Sequence, residues 1–102
     1  MSDPVKAITG VLRQCCDPPA TLRIERGESR AWQSLLFDGA RHHIRLGLSG
    51  GRLDGALDRL RQALAVPDFV IPGHIVADIR LSAVDHEGEH AVLTLEALTI
   101  EA

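Results

Sequence analysis

The chain has 102 residues, 45% of them hydrophobic, with a formal net charge of −3 and a mean hydropathy of +0.04. That length fits a single domain over residues 1–102, with enough core to fold without a disulfide or a bound metal. The composition excludes a disordered chain, the acidic balance excludes a general nucleic-acid binder, and no apolar run approaches the ~20 residues of a membrane-spanning helix.

In chain order, Met1-Ser2-Asp3-Pro4 has none of the features of a signal peptide, so the expected location is the cytoplasm. Asp3 before Pro4 is an N-cap followed by a first-turn proline, whose missing N–H would be unsatisfied there in any case. Val5, Ile8, Leu12 and Cys15 fall on one helical face, and Pro18-Pro19 prevents continuation, which predicts a helix over 4–16. The only cysteines, Cys15 and Cys16, are adjacent and read as reduced packing residues.

Three short strands are predicted next, over 21–26, 30–37 and 41–48. Gly27-Glu28 suits a two-residue turn with glycine first, and Asp38-Gly39 is a strong hairpin signal. Closing both turns gathers Leu22, Ile24, Ala31, Leu35, Phe37, Ile44, Leu46 and Leu48 on a core face. The opposite face collects Arg23, Glu25, Arg30, Trp32, Leu36, Arg41, His43 and Arg45, with Trp32 between Arg23 and Arg45. Gly50-Gly51 then breaks the strand. Leu53, Ala56, Leu57, Leu60, Ala63 and Leu64 form the apolar stripe of a second helix over 52–66, which Pro67 ends.

The last third reads as one long hairpin with strands over 74–84 and 90–101. Ile75, Ala77, Ile79, Leu81 and Ala83 alternate with polar residues, as do Ala91, Leu93, Leu95 and Ala97. A three-residue loop, His86-Glu87-Gly88, would pair Leu81 with Leu93 and Ile79 with Leu95. Leu98 and Ile100 join the outer face if a bulge shifts the phase near Ala97. The expected fold is therefore α+β, a two-layer sandwich of order α-β-β-β-α-β-β. Its mostly antiparallel five-stranded sheet carries both helices on one face.

No set of residues carries a signature of catalysis. Gly47-Leu48-Ser49-Gly50-Gly51 precedes a helix but lacks the phosphate-loop lysine, and no serine or cysteine sits in a nucleophile context. His86 and His90 flank an acidic turn that reads as a solvated tip; a metal-dependent enzyme built on them is the weakest of the functional readings. No cofactor, no metal and no catalytic residue is expected. The outer sheet face is the expected interface, with Arg23, Trp32, Leu36, His43, Arg45, Asp78, Arg80, Glu96, Leu98 and Ile100, because tryptophan and arginine are favoured anchors of protein contacts.

An ordered set of landmarks runs through the chain after Thr21. They are the Trp32 strand, Asp38-Gly39 followed by His42-His43-Ile44-Arg45-Leu46, and Ser49-Gly50-Gly51-Arg52 opening a helix that ends at Ala63-Leu64. Pro72-Gly73-His74, Arg80, the turn from Asp85 to Gly88, and Leu95-Glu96-Ala97-Leu98-Thr99 complete the set. In this order the chain resembles the small tail-completion, or tail-terminator, proteins of tailed bacteriophages, prophages and phage-derived gene transfer agents. It differs from them in a very short segment between the first helix and the first strand. The resemblance implies a virion structural protein without enzymatic activity: a self-associating ring subunit, usually a hexamer, that caps the tail tube and joins it to the head–tail connector protein. DNA would pass through the ring as cargo, and no membrane would be involved. The protein would be cytoplasmic when made and resident in the tail of a phage-like particle when assembled. The same expected element order also fits a cytoplasmic adaptor or a secretion-chaperone-like dimer, so fold alone does not separate the two.

Overall fold

The Asp3 carboxylate accepts the backbone N–H of Val5 at 3.0 Å and that of Lys6 at 3.4 Å, and so opens the first helix as an N-cap. In the computed structural model, which describes residues 3–16, 20–65 and 70–102, that helix is α1, Pro4–Arg13. There follow β1 (Thr21–Gln33), β2 (Asp38–Ser49), α2 (Leu53–Ala65), β3 (Val70–Ile71), β4 (His74–Glu87) and β5 (His90–Glu101). The strands form one five-stranded sheet in the order β1-β2-β5-β4-β3, antiparallel at every pair. The class is α+β, as expected, and the element order is α-β-β-α-β-β-β.

The order differs from the expected one at both ends of α2. Residues 21–26 and 30–37 do not make two strands, because Gly27-Glu28 is not a turn; β1 runs straight through it to Gln33. What glycine supplies there is space. A Cβ on Gly27 would lie 3.0 Å from Cγ1 of Val5, so α1 packs closely over this part of β1. Asp38-Gly39 is likewise not a turn but the start of β2, with Gln33 opposite Asp38 and Trp32 opposite Gly39. The reversal lies at Ser34–Phe37. Ser34 N–H donates to the Phe37 carbonyl at 2.8 Å, and the Phe37 N–H donates to Ser34 Oγ at 3.1 Å. The short strand β3, absent from the sequence reading, restores the count of five. The stop signals at Pro18-Pro19 and Pro67, and the predicted final residue of α2, Val66, lie outside the described residues. Helix α1 gives way to turn one residue after Arg13, earlier than position 16.

The inward face of the sheet carries Leu22, Ile44, Leu46, Leu48, Ile79, Ala91, Leu93, Leu95 and Ala97. It forms one hydrophobic cluster with Val5, Ile8 and Leu12 of α1 and with Ala56, Leu57, Leu60 and Leu64 of α2. Both helical stripes thus share a single core with the sheet, and each fully buried Leu or Ile there contributes roughly 1.5–3 kcal/mol. Ile24 is packed against this core, but three residues expected in it are not there: Ala31 and Phe37 are exposed, and Leu35 is wholly so. The turn at 34–37 carries Leu35 and Phe37 beyond the last rung of the β1–β2 ladder.

Three extra residues bend the flanking strands. Glu25 interrupts the β1–β2 register, and Ala77 and Ser82 interrupt β4–β5. In β4 the inward set is consequently Val76, Ile79, Leu81 and Val84, while Ile75, Ala77 and Ala83 are exposed. The hairpin closes with Glu87 opposite His90 around Gly88-Glu89, one residue shorter than expected, and Gly88 takes a φ of 63° that suits glycine at the first position of such a turn. Leu81 accordingly faces Leu95 and not Leu93, and Ile79 faces Ala97 and not Leu95. Strand β5 itself keeps strict alternation. Leu98 and Ile100 face outward without a bulge near Ala97; the irregularity is across from them, at Ala77.

Glycines offer a direct check on this packing. A Cβ on Gly39 would meet the Thr99 carbonyl oxygen and lie 2.8 Å from Cε2 and Cζ2 of Trp32, whereas one on Gly10 or Gly55 meets nothing within 4 Å. Gly39→Ala is expected to destabilise the fold by about 1–3 kcal/mol, and Gly10→Ala and Gly55→Ala to stabilise it by up to about 1 kcal/mol each. Urea unfolding of the three variants reads both signs. A neutral Gly39→Ala would mean that the indole does not lie over this residue.

Candidate interaction surface

The outward face of the sheet can be read as cross-strand rows, because residues opposite one another in a ladder share a face. At one end, Trp32, Gly39, Ile100, Ile75 and Val70 form a single row across all five strands. Ile75 is 56% exposed and Val70 is 88% exposed. The neighbouring turn adds Leu35 and Leu36, the latter 83% exposed, and Phe37. This is a contiguous apolar end of a molecule whose long dimension is 46 Å. The indole of Trp32 lies against Gly39, and its Nε1 is buried without an acceptor among the described residues. A buried donor left unpaired costs about 1–3 kcal/mol.

The next row is Arg30, Arg41, Leu98 and Asp78. Arg30 and Arg41 stand directly opposite each other, and neither has an ion pair among the described residues. Like charges in that relation repel. With Glu28, Ser29 and His43 they line a shallow cleft.

Two charge networks occupy the middle of the face. Glu25 forms ion pairs with both Arg23 and Arg45, each at 3.5 Å. The Arg23 and Glu25 side chains lie over Gly47, where a Cβ would be 2.9 Å from Oε2 of Glu25. Glu96 receives Arg80 Nε at 2.8 Å and faces His43 Nε2 at 3.4 Å. These groups are partly exposed, so each pair contributes at most about 1 kcal/mol.

Of the residues expected at an interface, Arg23 and Arg45 come together, but through Glu25, with no tryptophan between them. Trp32 stands instead at the apolar end, because the turn at 34–37 sets it opposite Gly39. His43, Arg80 and Glu96 form one network, and Asp78, Leu98 and Ile100 share the outer face with them. Leu36 sits on the turn. Sequence reasoning missed Val70, Ile75, Leu35 and Phe37 as surface residues. For Ile75 the signal was misleading, since simple alternation placed it inward with Ile79, and only the extra residue Ala77 reverses it.

The remaining histidines and cysteines have local roles. His90 Nε2 lies 3.1 Å from Glu87 Oε2, while His86 stands opposite Ala91. Among the described residues, no three histidine, cysteine, aspartate or glutamate side chains gather in a way that would hold a metal ion. Cys15 and Cys16 are free and half-buried at the end of α1, and burial raises the thiol pKa of Cys16. No described helix is long and apolar enough to cross a membrane. No protein-family model and no curated protein sequence matches the chain.

On the inward face, His42 is 2% exposed. Its Nδ1 lies 2.7 Å from Ser29 Oγ and its Nε2 2.8 Å from Thr99 Oγ1. A neutral imidazole satisfies both, donating to one hydroxyl and accepting from the other. Both hydroxyls can turn to accept from an imidazolium, so what opposes protonation is the burial of charge. Burial, helped by His74 and opposed by Asp3, holds the His42 pKa below the ordinary value. A depressed folded-state pKa means that the unfolded chain binds the proton first as pH falls. The stability contributed by neutral His42 is therefore complete above about pH 6.5 and is lost as pH falls through the lower, folded value. His42→Gln should be less stable than the parent near pH 8, with the gap narrowing towards pH 5. Urea midpoints across that range test it; a gap that stays constant would show that His42 titrates alike in both states.

Proposed function

We propose that the chain is a structural assembly subunit of the phage tail-terminator type, one copy in a ring that caps the tail tube and presents a surface to the head–tail connector. The observation that supports this reading most is the apolar row from Trp32 to Val70, continuous with the Leu35-Leu36-Phe37 turn. An exposed apolar surface of this kind at one end of a domain calls for a macromolecular partner. It also sits among the landmarks that carry the family resemblance: the Trp32 strand, Gly39, Leu98 and the Pro72-Gly73-His74 turn.

In this reading the chain supplies surfaces and no chemistry. The apolar end packs against a neighbouring copy or the tube, and the His43–Glu96–Arg80 network forms the polar rim of that contact. A heterologous contact between identical copies closes into a ring when its rotation allows. The net charge of −3 suits a ring through which DNA passes without being held. The protein is then made in the cytoplasm and ends in the tail of the particle.

The test is the solution mass of the protein mixed with the tail-tube protein encoded beside it. A hexamer, or a ring that forms only on the tube, is expected. A stable dimer indifferent to the tube protein would overturn the reading in favour of a secretion-chaperone-like or adaptor protein. Leu35→Ser combined with Leu36→Ser should weaken ring or tube association at least roughly tenfold with an unchanged urea midpoint, since exposed turn residues contribute little to the fold. Unchanged association in that variant would remove the turn from the contact.

A further inference from the structure

The two edges of the sheet are built differently. Beyond the short β3, the β4 edge is broken twice, at Ala77 and Ser82, a device that keeps an edge from pairing. At the other edge, β1 is irregular only at Glu25, and its early part is guarded by α1: Arg13 Nε donates to the Leu22 carbonyl at 2.9 Å. From Arg26 to Gln33, β1 is in unbroken register with β2, its only strand neighbour among the described residues. Residues Arg26 to Ala31 are all exposed. This regular, unguarded stretch is a template for another strand.

The side chains on the stretch select which strand. Arg26, Glu28, Arg30 and Trp32 face outward, and Gly27, Ser29 and Ala31 face inward. We propose that the occupant is β1 of a second copy, paired antiparallel about a two-fold axis at Ser29, so that two sheets run on as one. In that register each Glu28 faces the partner copy's Arg30 and each Arg26 faces its Trp32, while Gly27 faces Ala31 and Ser29 faces Ser29. Glu28, which pairs with Arg26 within the single chain, then also reaches the partner copy's Arg30, so that Arg30, left without an acid in the single chain, shares one, and Arg26 gains an indole face. Gly27, Ser29 and Ala31 themselves add little bulk on the inward side, where Val5 of α1 lies over Gly27. Registers one residue to either side fail on charge, and one further toward the start of β1 meets the bulge. An axis at Glu28 opposes glutamate to glutamate and Arg26 to Arg30, an axis at Arg30 opposes arginine to arginine, and an axis at Gly27 runs into the extra residue Glu25.

This contact has two-fold symmetry, so it is distinct from the head-to-tail contact that closes a ring. It describes the free protein and does not depend on the tail-terminator reading. The isolated chain is expected to have a mass of twice 11.1 kDa by sedimentation. Arg30→Glu, which sets acid against acid twice across the axis, is expected to weaken that dimer by roughly tenfold or more, and the exchange Glu28→Arg with Arg30→Glu to restore it. Circular dichroism of each variant controls for folding, and both positions are exposed. A monomer at all concentrations, a dimer indifferent to Arg30→Glu, or no rescue by the exchange would each overturn the proposal. Because the tube protein is absent from this measurement, its outcome is separate from that of the ring experiment.

Discussion

The β2–β5 ladder is the constraint that the rest of the molecule follows. It runs without a register shift from Gly39 opposite Ile100 to Ser49 opposite His90. Its inward side carries Ile44, Leu46, Leu48, Ala91, Leu93 and Leu95, all 1% exposed or less. A slip of one residue here would turn one strand's three residues outward and take half of this surface from under the helices. Every irregularity is therefore displaced to the flanks, at Glu25 in β1 and at Ala77 and Ser82 in β4. A twisted sheet bends its outer strands more sharply than its centre, and an added residue accommodates the bend while the central rows stay aligned. The same additions decide the surface. Were Glu25 an ordinary rung of the ladder, Arg26, Glu28, Arg30 and Trp32 would face the core; were Ala77 one, Ile75 would lie on the same face as Ile79.

This explains where the sequence was legible and where it was not. The helices, the strand over 90–101 and the α+β class follow from periodicity that nothing interrupts. In β1 the apolar phase changes between Ile24 and Ala31, and two devices produce such a change: a two-residue turn that reverses the chain, or one extra residue in a continuing strand. Gly27-Glu28 looks like the first, and the chain uses the second. The same dipeptide at Gly88-Glu89 does make a turn, with Gly88 at a φ of 63°. The difference lies outside the dipeptide, in Val5 of α1, which needs the space above Gly27. Such a tertiary contact leaves no mark in local sequence. Asp38-Gly39 fails for a similar reason, since Gly39 lies beneath the Trp32 ring and beside the Thr99 carbonyl, while Ser34 supplies the hydrogen bonds of the actual turn.

The surface shows the same division. Outward residues on uninterrupted strands, such as His43 and Glu96, were identified correctly by alternation alone, whereas Leu98 was placed outward through a bulge that β5 does not have. Glu25, the link between Arg23 and Arg45, was assigned to the right face, but its role as the extra residue was invisible. Val70 and Ile75 were missed because their exposure depends on a two-residue strand and on a bulge. Together with Trp32 and Ile100 they turn a scattered set of outward residues into one apolar row. Contiguity, more than the count of exposed apolar residues, separates a contact surface from an ordinary one.

The two proposed contacts draw on different parts of one sheet: the apolar end for a head-to-tail neighbour or the tube, and the β1 edge for a two-fold partner. Trp32 belongs to both, so the two compete. The proposed seam would rest on backbone pairing over a short stretch, four ion pairs or cation–π contacts of at most about 1 kcal/mol each, and little apolar burial. A ring on a tube repeats its contact around a closed circle, and each copy is held by two neighbours and the tube at once. That multiplicity raises the effective affinity by orders of magnitude without any new kind of contact. In the proposed assembly a weak seam is therefore compatible with ring formation: it would cover a strand edge that otherwise invites aggregation, and mass action would release it when the tube is present.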